Sequence, residues 1–312
     1  MIKTAGTQAG PSSSGQFNFG FARDSTCRNT GITAHPLRAN RRALTLLPLQ
    51  GRRRTEANVI QRKSSDQIRK LRASGAIVGD TLRMLRSLCV EGAILKDLDR
   101  AAEAFIRGRG AKPTFKGYHG FPATLCLSLN SEVVHGIPNG RRLKSGDILA
   151  IDCGATKDDW VGDAAMTVMI GKVAPDVAQL VEQTRLSLMA GIAAAKVGAR
   201  LGDISWAIES VVHKHGYGIV RDYCGHGVGR ALHEDPQVPN YGKPDTGPRI
   251  QSGWCLALEP MINLGGDDVH TLADGWTVVT DDGKPSAHWE HSIAITDAGV
   301  EILTLTSDGE QP

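Results

Sequence analysis

Two aspartates stand where a hairpin could bring their carboxylates together. Asp152 ends the apolar run that starts at Ile148, and Asp163 lies eleven residues later in a second apolar run. Two adjacent strands of this kind make a hairpin, in which both carboxylates can point toward one place. Because an aspartate at a strand end usually only caps a turn, this pair needs further ligands nearby before it indicates a metal site.

Further candidate ligands follow in the second half of the chain. His226 lies between glycines in the run Cys224-Gly-His-Gly-Val-Gly, and His233 follows seven residues later. Glycine allows a backbone to approach a site closely. Glu259 and Glu290 interrupt strands of core residues that carry no Lys or Arg, although a buried ionised glutamate needs a partner.

Oxygen-rich, anionic ligands with one imidazole are typical of sites for divalent cations. Two cations about 3.5 to 4 Å apart can share a hydroxide, lower its pKa and hold it against a carbonyl carbon. The sequence therefore predicts a metal-dependent hydrolase whose candidate ligands are Asp152, Asp163, His226, Glu259 and Glu290.

The elements that must position these ligands are repeated along the chain. A capping box at Ser64 to Gln67 and apolar residues at helical spacing predict a helix over about 65–89, and a second helix follows Asp97. A long helix over 175–197 and a shorter one over 203–216 repeat this order. At an offset of 106, residues 92–110 match 198–216 with seven identities in 19 positions.

Short runs of β-forming residues follow the helices in each half. They predict strands at 147–154 and 161–171, and then at 254–262, 276–280 and 287–296. We therefore predict an α+β fold of two halves related by a pseudo-twofold axis, with helices over a curved, largely antiparallel sheet and a cleft between the halves. The halves are about 65–171 and 175–305.

Composition excludes several other classes of protein. The chain of 312 residues is 41% hydrophobic and 22% charged, as expected of a soluble globular protein, and it has neither an apolar run of membrane-spanning length nor a secretory signal pattern. Six scattered cysteines without a C-x-x-C pair indicate buried, reduced thiols. We therefore expect an intracellular protein without a dense disulfide framework.

The basic charge belongs to the N-terminal extension, residues 1–57. It carries nine Lys and Arg against two acidic residues, so the remainder has a net charge of −4 and no footprint for nucleic acid. Its composition predicts disorder. An organellar transit peptide, an extension without a role and a start codon assigned too early all fit this segment. Residues 58–312 are then the catalytic domain.

The ligands and several motifs together resemble the type I methionine aminopeptidases. The resemblance covers about 58–305, and beside the ligand spacing it is carried by Gly117-Tyr-His-Gly-Phe-Pro, His135-Gly-Ile-Pro, Gly225-His-Gly-Val-Gly, His233-Glu-Asp-Pro-Gln-Val-Pro, Leu258-Glu-Pro and Trp289-Glu-His. It implies the duplicated "pita-bread" (creatinase/aminopeptidase) fold. It also implies removal of N-terminal methionine when the second residue is small, by attack of a hydroxide activated by two metals.

The resemblance also implies roles for individual residues. Asp152 would bind one cation, His226 and Glu259 the other, and Asp163 and Glu290 would bridge both. Glu259 would shuttle protons, while His135 would contact the substrate near its amino end and His233 would polarise the scissile carbonyl. An apolar slot for the methionine side chain would be lined by Phe115, Tyr118, Phe121, Cys126 and Trp276, with His135 at its mouth.

Other implications concern metals, partners and relatives. Cobalt, manganese, iron and zinc all suit the ligands. The partners would be nascent polypeptides with an N-terminal Met, encountered at the ribosome, and neither nucleic acid nor membrane. The enzyme would be a cytoplasmic monomer. It would be organellar instead if the extension is a transit peptide. His288 replaces a frequent Gln and Leu232 replaces a Phe found in some relatives, both at the edge of the slot.

Three alternatives share the fold. Proline-directed aminopeptidases and dipeptidases use the same five ligands, but they usually carry a sizeable N-terminal domain that 57 residues cannot form. Type II methionine aminopeptidases carry a helical insertion, for which the separation of 33 positions from His226 to Glu259 leaves no room. Non-enzymatic binding proteins of this fold have lost ligands, whereas this chain retains all five.

Overall fold

Four α-helices occur in the computed structural model, which describes residues 60–312. They are α1 (Ser65–Leu88), α2 (Leu95–Gly108), α3 (Pro175–Ala194) and α4 (Leu201–Val212). The predictions for residues 1–57 and for Cys27 lie outside the described residues. Within them, no helix is long and apolar enough to cross a membrane.

Helix α1 begins where the capping box predicts. The Ser64 hydroxyl accepts a hydrogen bond from the Gln67 amide, and the Gln67 side chain accepts one from the Ser64 amide. These two bonds satisfy amide groups that the first turn leaves without helical partners. The predicted helix over about 65–89 is therefore confirmed to within one residue.

The shorter helices begin two residues earlier than predicted. Both α2 and α4 start at a leucine, Leu95 and Leu201, so Asp97 and Asp203 lie in the first turn. The Asp203 carboxylate accepts a hydrogen bond from the Arg200 amide, which explains why an acidic residue stands there. Helix α3 ends at Ala194 rather than at 197, and α4 ends at Val212, followed by one 3₁₀ turn at His213–His215.

Fifteen strands complete the described part of the chain. In chain order they are β1 (Lys112–Pro113), β2 (Leu125–Leu129), β3 (Glu132–Val134), β4 (Ile148–Lys157), β5 (Trp160–Met169), β6 (Gly218–Ile219), β7 (Gly225–Gly227), β8 (Glu234–Val238), β9 (Trp254–Leu258), β10 (Met261–Asn263), β11 (Val269–Thr271), β12 (Val278–Thr280), β13 (Ser286–His288), β14 (Glu290–Thr296) and β15 (Gly299–Ile302).

The main sheet has nine strands and joins the two halves at its middle. Its order is β1-β4-β5-β14-β9-β7-β8, with β2 also on β4 and β15 on β14, and every pairing is antiparallel. Two three-stranded sheets, β13-β10-β6 and β11-β12-β3, lie beside it. The α+β fold with a largely antiparallel sheet is confirmed.

The sequence repeat is also a repeat of hydrogen bonds. Gly92 and Gly198 have φ angles of 87° and 88°, a conformation that favours glycine. Their amides donate to the carbonyls of Leu143 and Ile250. The side chain of Arg142 donates a hydrogen bond to the Gly92 carbonyl, and that of Arg249 donates one to the Gly198 carbonyl. The two halves therefore share one local design at an offset of about 106 residues.

Two predicted strands are interrupted next to candidate ligands. The run 254–262 splits into β9 and β10 around Glu259 and Pro260, and 287–296 splits into β13 and β14 at Trp289. Proline cannot donate a ladder hydrogen bond, and the Pro260 carbonyl instead accepts one from the Trp289 amide. The run 276–280 is a strand only from Val278.

Helix α1 packs closely on the main sheet and on the C-terminal segment because glycines lie at the contacts. A Cβ on Gly75 would lie 2.1 Å from the Leu303 carbonyl oxygen, and a Cβ on Gly162 of β5 would lie 2.5 Å from the Gly75 amide nitrogen. The five cysteines of the described segment are free thiols, four of them buried and Cys224 half-buried.

Replacing Gly75 with alanine should destabilise the fold by about 3 kcal/mol, because the added methyl group meets backbone that cannot rotate away. Urea denaturation followed by circular dichroism measures this change. Gly108→Ala is the matched control, since it adds the same methyl group to an exposed helical position with nothing within 4 Å. The control should be neutral or stabilising by about 0.5 kcal/mol. Equal stability of the two variants would show that α1 is not packed so closely.

Candidate active site

Strand register places the carboxylates of the first half and Glu290 on one face of the sheet. Asp152 of β4 lies opposite Ala165 of β5, which is two residues beyond Asp163 and therefore faces the same way. Glu290 of β14 lies opposite Ala165 on the other side. The predicted hairpin thus directs both aspartates to one side of the sheet, and the β5–β14 pairing adds Glu290 to them.

The same register extends the face into the second half. Ser292, two residues beyond Glu290, lies opposite Ala257 of β9, and Ala257 in turn lies opposite His226 of β7. Glu259 follows Ala257 by two residues. All five candidate ligands therefore lie on one face, across the seam between the halves.

Short distances join these side chains. His226 Nε2 lies 3.4 Å from Glu259 Oε1 and 3.7 Å from Asp163 Oδ2. Asp163, His226 and Glu290 each offer a ligand atom, and these three atoms lie within 4.8 Å of one another. A single cation could contact all three.

The carboxylates lack the partners that buried acids need. Oδ1 of Asp152, Oδ1 of Asp163 and Oε1 of Glu290 are buried without a hydrogen-bond partner in the structure. Among residues 60–312, no Lys or Arg forms an ion pair with any of the four acids. Because uncompensated buried carboxylates are costly, these residues fit divalent cations, whose charge would balance them.

Burial and mutual repulsion alter the acidity of these groups. Burial raises the pKa of Asp152 to about 7. It also raises the pKa of Asp163 well above its usual value, and the charge of Asp152 adds to this. Glu259 and Glu290 have raised pKa values for the same two reasons, burial and the neighbouring carboxylates. A positive charge at the centre would remove this repulsion.

His226 presents a nitrogen lone pair to the carboxylate cluster. Its Nδ1 lies 2.9 Å from the Gly227 carbonyl oxygen, which can only accept, so Nδ1 carries the ring proton and Nε2 does not. Burial lowers the pKa of His226 to about 4, which favours the neutral ring. A neutral imidazole oriented by a second hydrogen bond is a common metal ligand.

The two predicted non-ligand histidines have different neighbours. The ring of His233 packs at 4.4 Å from that of His226, and its Nδ1 is 2.9 Å from the Tyr118 hydroxyl. His135 follows β3 with a φ of 59°, a left-handed conformation that is uncommon outside glycine, and its ring contacts Tyr223. Burial, with a contribution from His233, lowers the pKa of His135 to about 3.

The predicted slot residues belong to one apolar cluster beside the carboxylates. Phe115, Phe121 and Cys126 are buried in it, and Tyr118 and Trp276 pack against it partly exposed. The rings of Phe121 and Trp276 meet edge to face at 5.1 Å. Cys126 lies opposite Asp152 in the β2–β4 pairing, so the slot adjoins the candidate metal centre.

The structure shows contacts that the sequence did not predict. His288 is buried, with Nε2 at 3.9 Å from Glu259 Oε2, so it lies beside a candidate ligand. Thr167 of β5 holds it through two hydrogen bonds with its backbone. Leu232 is buried in the slot's cluster. No local pattern identifies His288, because its position depends on the break at Trp289.

Comparisons with known proteins agree with this arrangement. Residues 69–297 match the model of metallopeptidase family M24. A methionine aminopeptidase of Clostridium acetobutylicum is 49% identical over 244 residues, which cover 78% of this chain and 98% of that protein. Methionine aminopeptidase 1 of Mycobacterium tuberculosis is 46% identical over 267 residues, with 83% and 98% covered.

Solved structures extend the likeness to the whole described fold. The crystal structure of methionine aminopeptidase from Rickettsia prowazekii aligns with a TM-score of 0.78 at 40% identity, covering 79% of this chain and all of that one. The prolidase of Pyrococcus furiosus aligns with a TM-score of 0.64 at 20% identity, covering 79% of this chain and 66% of its own, which shows a shared fold only. The chain belongs to metallopeptidase family M24 and, within it, to the methionine aminopeptidases.

Proposed function

We propose that this protein is a metal-dependent aminopeptidase that removes N-terminal methionine from polypeptides whose second residue is small. The observation that carries the proposal is one sheet face holding four acids and an imidazole beside an apolar cluster. The methionine aminopeptidases among its relatives support the same activity.

The five ligands would hold two divalent cations. Asp163 and Glu290, which meet at the seam of the halves, would bridge them, Asp152 would complete one site, and His226 with Glu259 the other. When bound, such cations lower the pKa of a water molecule and polarise a carbonyl group. The residues present four carboxylates to balance that charge, and cobalt, manganese, iron and zinc all suit them.

The remaining steps belong to side chains of the protein. Glu259 lies beside His226 in the carboxylate cluster, so its carboxylate can take a proton from the attacking water and pass it to the leaving amine. When the Tyr118 hydroxyl donates to Nδ1 of His233, the ring carries its proton on Nε2 and can donate to the scissile carbonyl oxygen. His135 would contact the substrate near its amino end.

The apolar cluster would select methionine. Its aromatic and thiol side chains, Phe115, Phe121, Cys126 and Trp276, form a wall without charge that suits an unbranched thioether. We propose nascent polypeptides as the substrates, processed at the ribosome in the cytoplasm by a monomer. The alternative of an organellar enzyme depends on residues 1–57, which the structure does not describe.

Selectivity for the second residue tests the proposal. Catalysis requires the scissile carbonyl to lie between His135 and His233, so the second side chain is pressed against the cleft. A large residue must displace packed groups at a cost of about 1 to 3 kcal/mol. We expect kcat/KM for Met-Leu-x peptides to be about ten- to a hundredfold below that for Met-Ala-x, measured with the cation-loaded enzyme.

The same assay includes two control peptides. Ala-Ala-x should be a poor substrate because a methyl group leaves the slot empty. An x-Pro-x peptide without methionine should not be cleaved, and its preferred cleavage would favour a proline-directed enzyme instead. Equal rates on Met-Ala-x and Met-Leu-x would show that the cleft does not restrict the second residue.

A further inference from the structure

A buried ion pair joins the residues before α1 to the segment that carries His233. Lys63 Nζ lies 2.5 Å from Glu234 Oε2, and the exposed fractions of the two side chains are only 4% and 16%. Lys63 Nζ also donates to the Gln61 carbonyl oxygen at 3.1 Å. Neither residue has a role in the site described above, and Lys63 precedes the segment 69–297 that matches the family model.

Glu234 closes the turn that ends at His233. Its Oε1 accepts hydrogen bonds from the amides of Arg230 and Ala231 at 2.9 and 3.3 Å, so one carboxylate oxygen ties the turn between β7 and β8. The contact is close, because a Cβ on Gly229 would lie 2.2 Å from the same oxygen. The position of His233 is therefore fixed on one side by this turn and on the other by the β7–β8 pairing of Gly227 with Glu234.

Lys63 itself is fixed by backbone contacts to the residues just before β9. Its amide donates to the Gly253 carbonyl at 2.7 Å, and the preceding Arg62 side chain donates to the Ser252 carbonyl at 2.6 Å. Gly253 has a φ of 92°, and a Cβ there would lie 2.8 Å from the Lys63 carbonyl oxygen. Residues 62–63 are thus held against the start of β9, the strand that leads to Glu259.

We propose that Lys63 is a positioning residue for His233. Its ammonium group neutralises the Glu234 carboxylate and holds it over the turn, so the imidazole of His233 keeps its place against the ring of His226. Without that charge, the carboxylate must turn toward water, releasing the two amides and shifting the histidine. The proposal rests on the proposed function, since it assigns a supporting group to the residue that polarises the scissile carbonyl.

The test measures kcat and KM on a Met-Ala-x peptide for Lys63→Met and Lys63→Arg with cations added. Lys63→Met should lower kcat about ten- to a hundredfold, the effect of moving a catalytic group by about 1 Å, and change KM by less than about threefold. Lys63→Arg keeps the charge and should recover most of kcat. Both variants should bind as much metal as the wild type, because the five ligands are untouched.

A double-variant cycle separates positioning from general stability. In a His233→Ala background, Lys63→Met should change kcat by less than about twofold, because the group on which it acts is gone. If the loss of kcat in the double variant were the product of the losses in the two single variants, Lys63 would act elsewhere and the proposal would be overturned. A wild-type kcat in Lys63→Met would overturn it as well. If Lys63→Met does not fold, the same cycle with Glu234→Gln decides, since it removes the charge that Lys63 neutralises.

Arg72→Met is the matched control. Arg72 on α1 also pairs with a glutamate distant in sequence, Glu301, but this pair is exposed, with 49% and 37% of the side chains accessible. It should leave kcat unchanged. A wild-type enzyme that fails to cleave Met-Ala-x would contradict the proposed function itself, whereas an active wild type with an inert Lys63→Met would contradict only the positioning role.

Discussion

Removing divalent cations with a chelator is expected to abolish cleavage of Met-Ala-x, and adding cobalt, manganese, iron or zinc should restore it. The reason lies in the four buried acids, three of which have oxygens without hydrogen-bond partners. Without a cation they can neither activate water nor polarise a carbonyl, and no Lys or Arg among residues 60–312 forms an ion pair with them. Activity against added cation, with metal content measured in parallel, should saturate at about two cations per chain.

The same titration has a readout that does not depend on activity. Binding a cation at 100 times its dissociation constant stabilises the native state by about 2.7 kcal/mol. For a domain of this size that corresponds to a rise in Tm of about 5 to 10 °C. His233→Ala is the control, because a residue that is not a ligand should show the same rise in Tm while kcat remains low. Full activity in protein shown to be metal-free would overturn the mechanism.

Local patterns predicted those parts of the fold that depend on neighbouring residues. Helix α1 was placed within one residue because its capping box is complete within four residues. Asp152 and Asp163 come together through one hairpin, whose strand register depends only on neighbouring residues of the sequence. The duplication was visible from seven identities in 19 positions, which include Gly92 and Gly198, two glycines with the same left-handed conformation.

Features that depend on distant pairing could not be predicted in this way. Glu290 reaches Asp163 through the β5–β14 pairing, which joins strands from different halves. The sequence identified Glu290 as a candidate ligand, but no local pattern indicated this pairing. The breaks after β9 and β13 arise from Pro260 and Trp289 meeting across the fold. The pair of Lys63 and Glu234 spans 171 residues, so neither residue carries a local sign of the other.

The repulsion among the acids implies that a bridging carboxylate lowers the free energy of unfolding of the cation-free protein, although metal binding requires it. Glu290→Gln keeps the size of the side chain but removes an acid whose negative charge is disfavoured by burial and by the charges of the neighbouring carboxylates, which raise its pKa. Two such charges about 4 Å apart repel by about 4 kcal/mol at an intermediate dielectric constant, so the cation-free variant should be more stable than the cation-free wild type by about 1 to 3 kcal/mol. Urea denaturation in the presence of a chelator measures this difference.

The same substitution should remove the function. An amide cannot bridge two cations as a carboxylate does, so we expect metal content to fall and kcat/KM to drop on the order of a thousandfold, a loss of about 4 kcal/mol of transition-state stabilisation. The rise in Tm on adding cation should largely disappear. Asp163→Asn should behave in the same way, because Asp163 faces the same seam.

Glu132→Gln is the matched control, and its stability effect should have the opposite sign. Glu132 is also a buried glutamate, but Arg141 pairs with it at 2.7 Å and the Leu129 amide donates to it at 2.8 Å. Removing its charge leaves the guanidinium without its partner and should destabilise the protein, while metal content stays at the wild-type level. If Glu290→Gln also destabilised the cation-free protein, Glu290 would have a compensating partner, and the acids could not be a site kept open for cations.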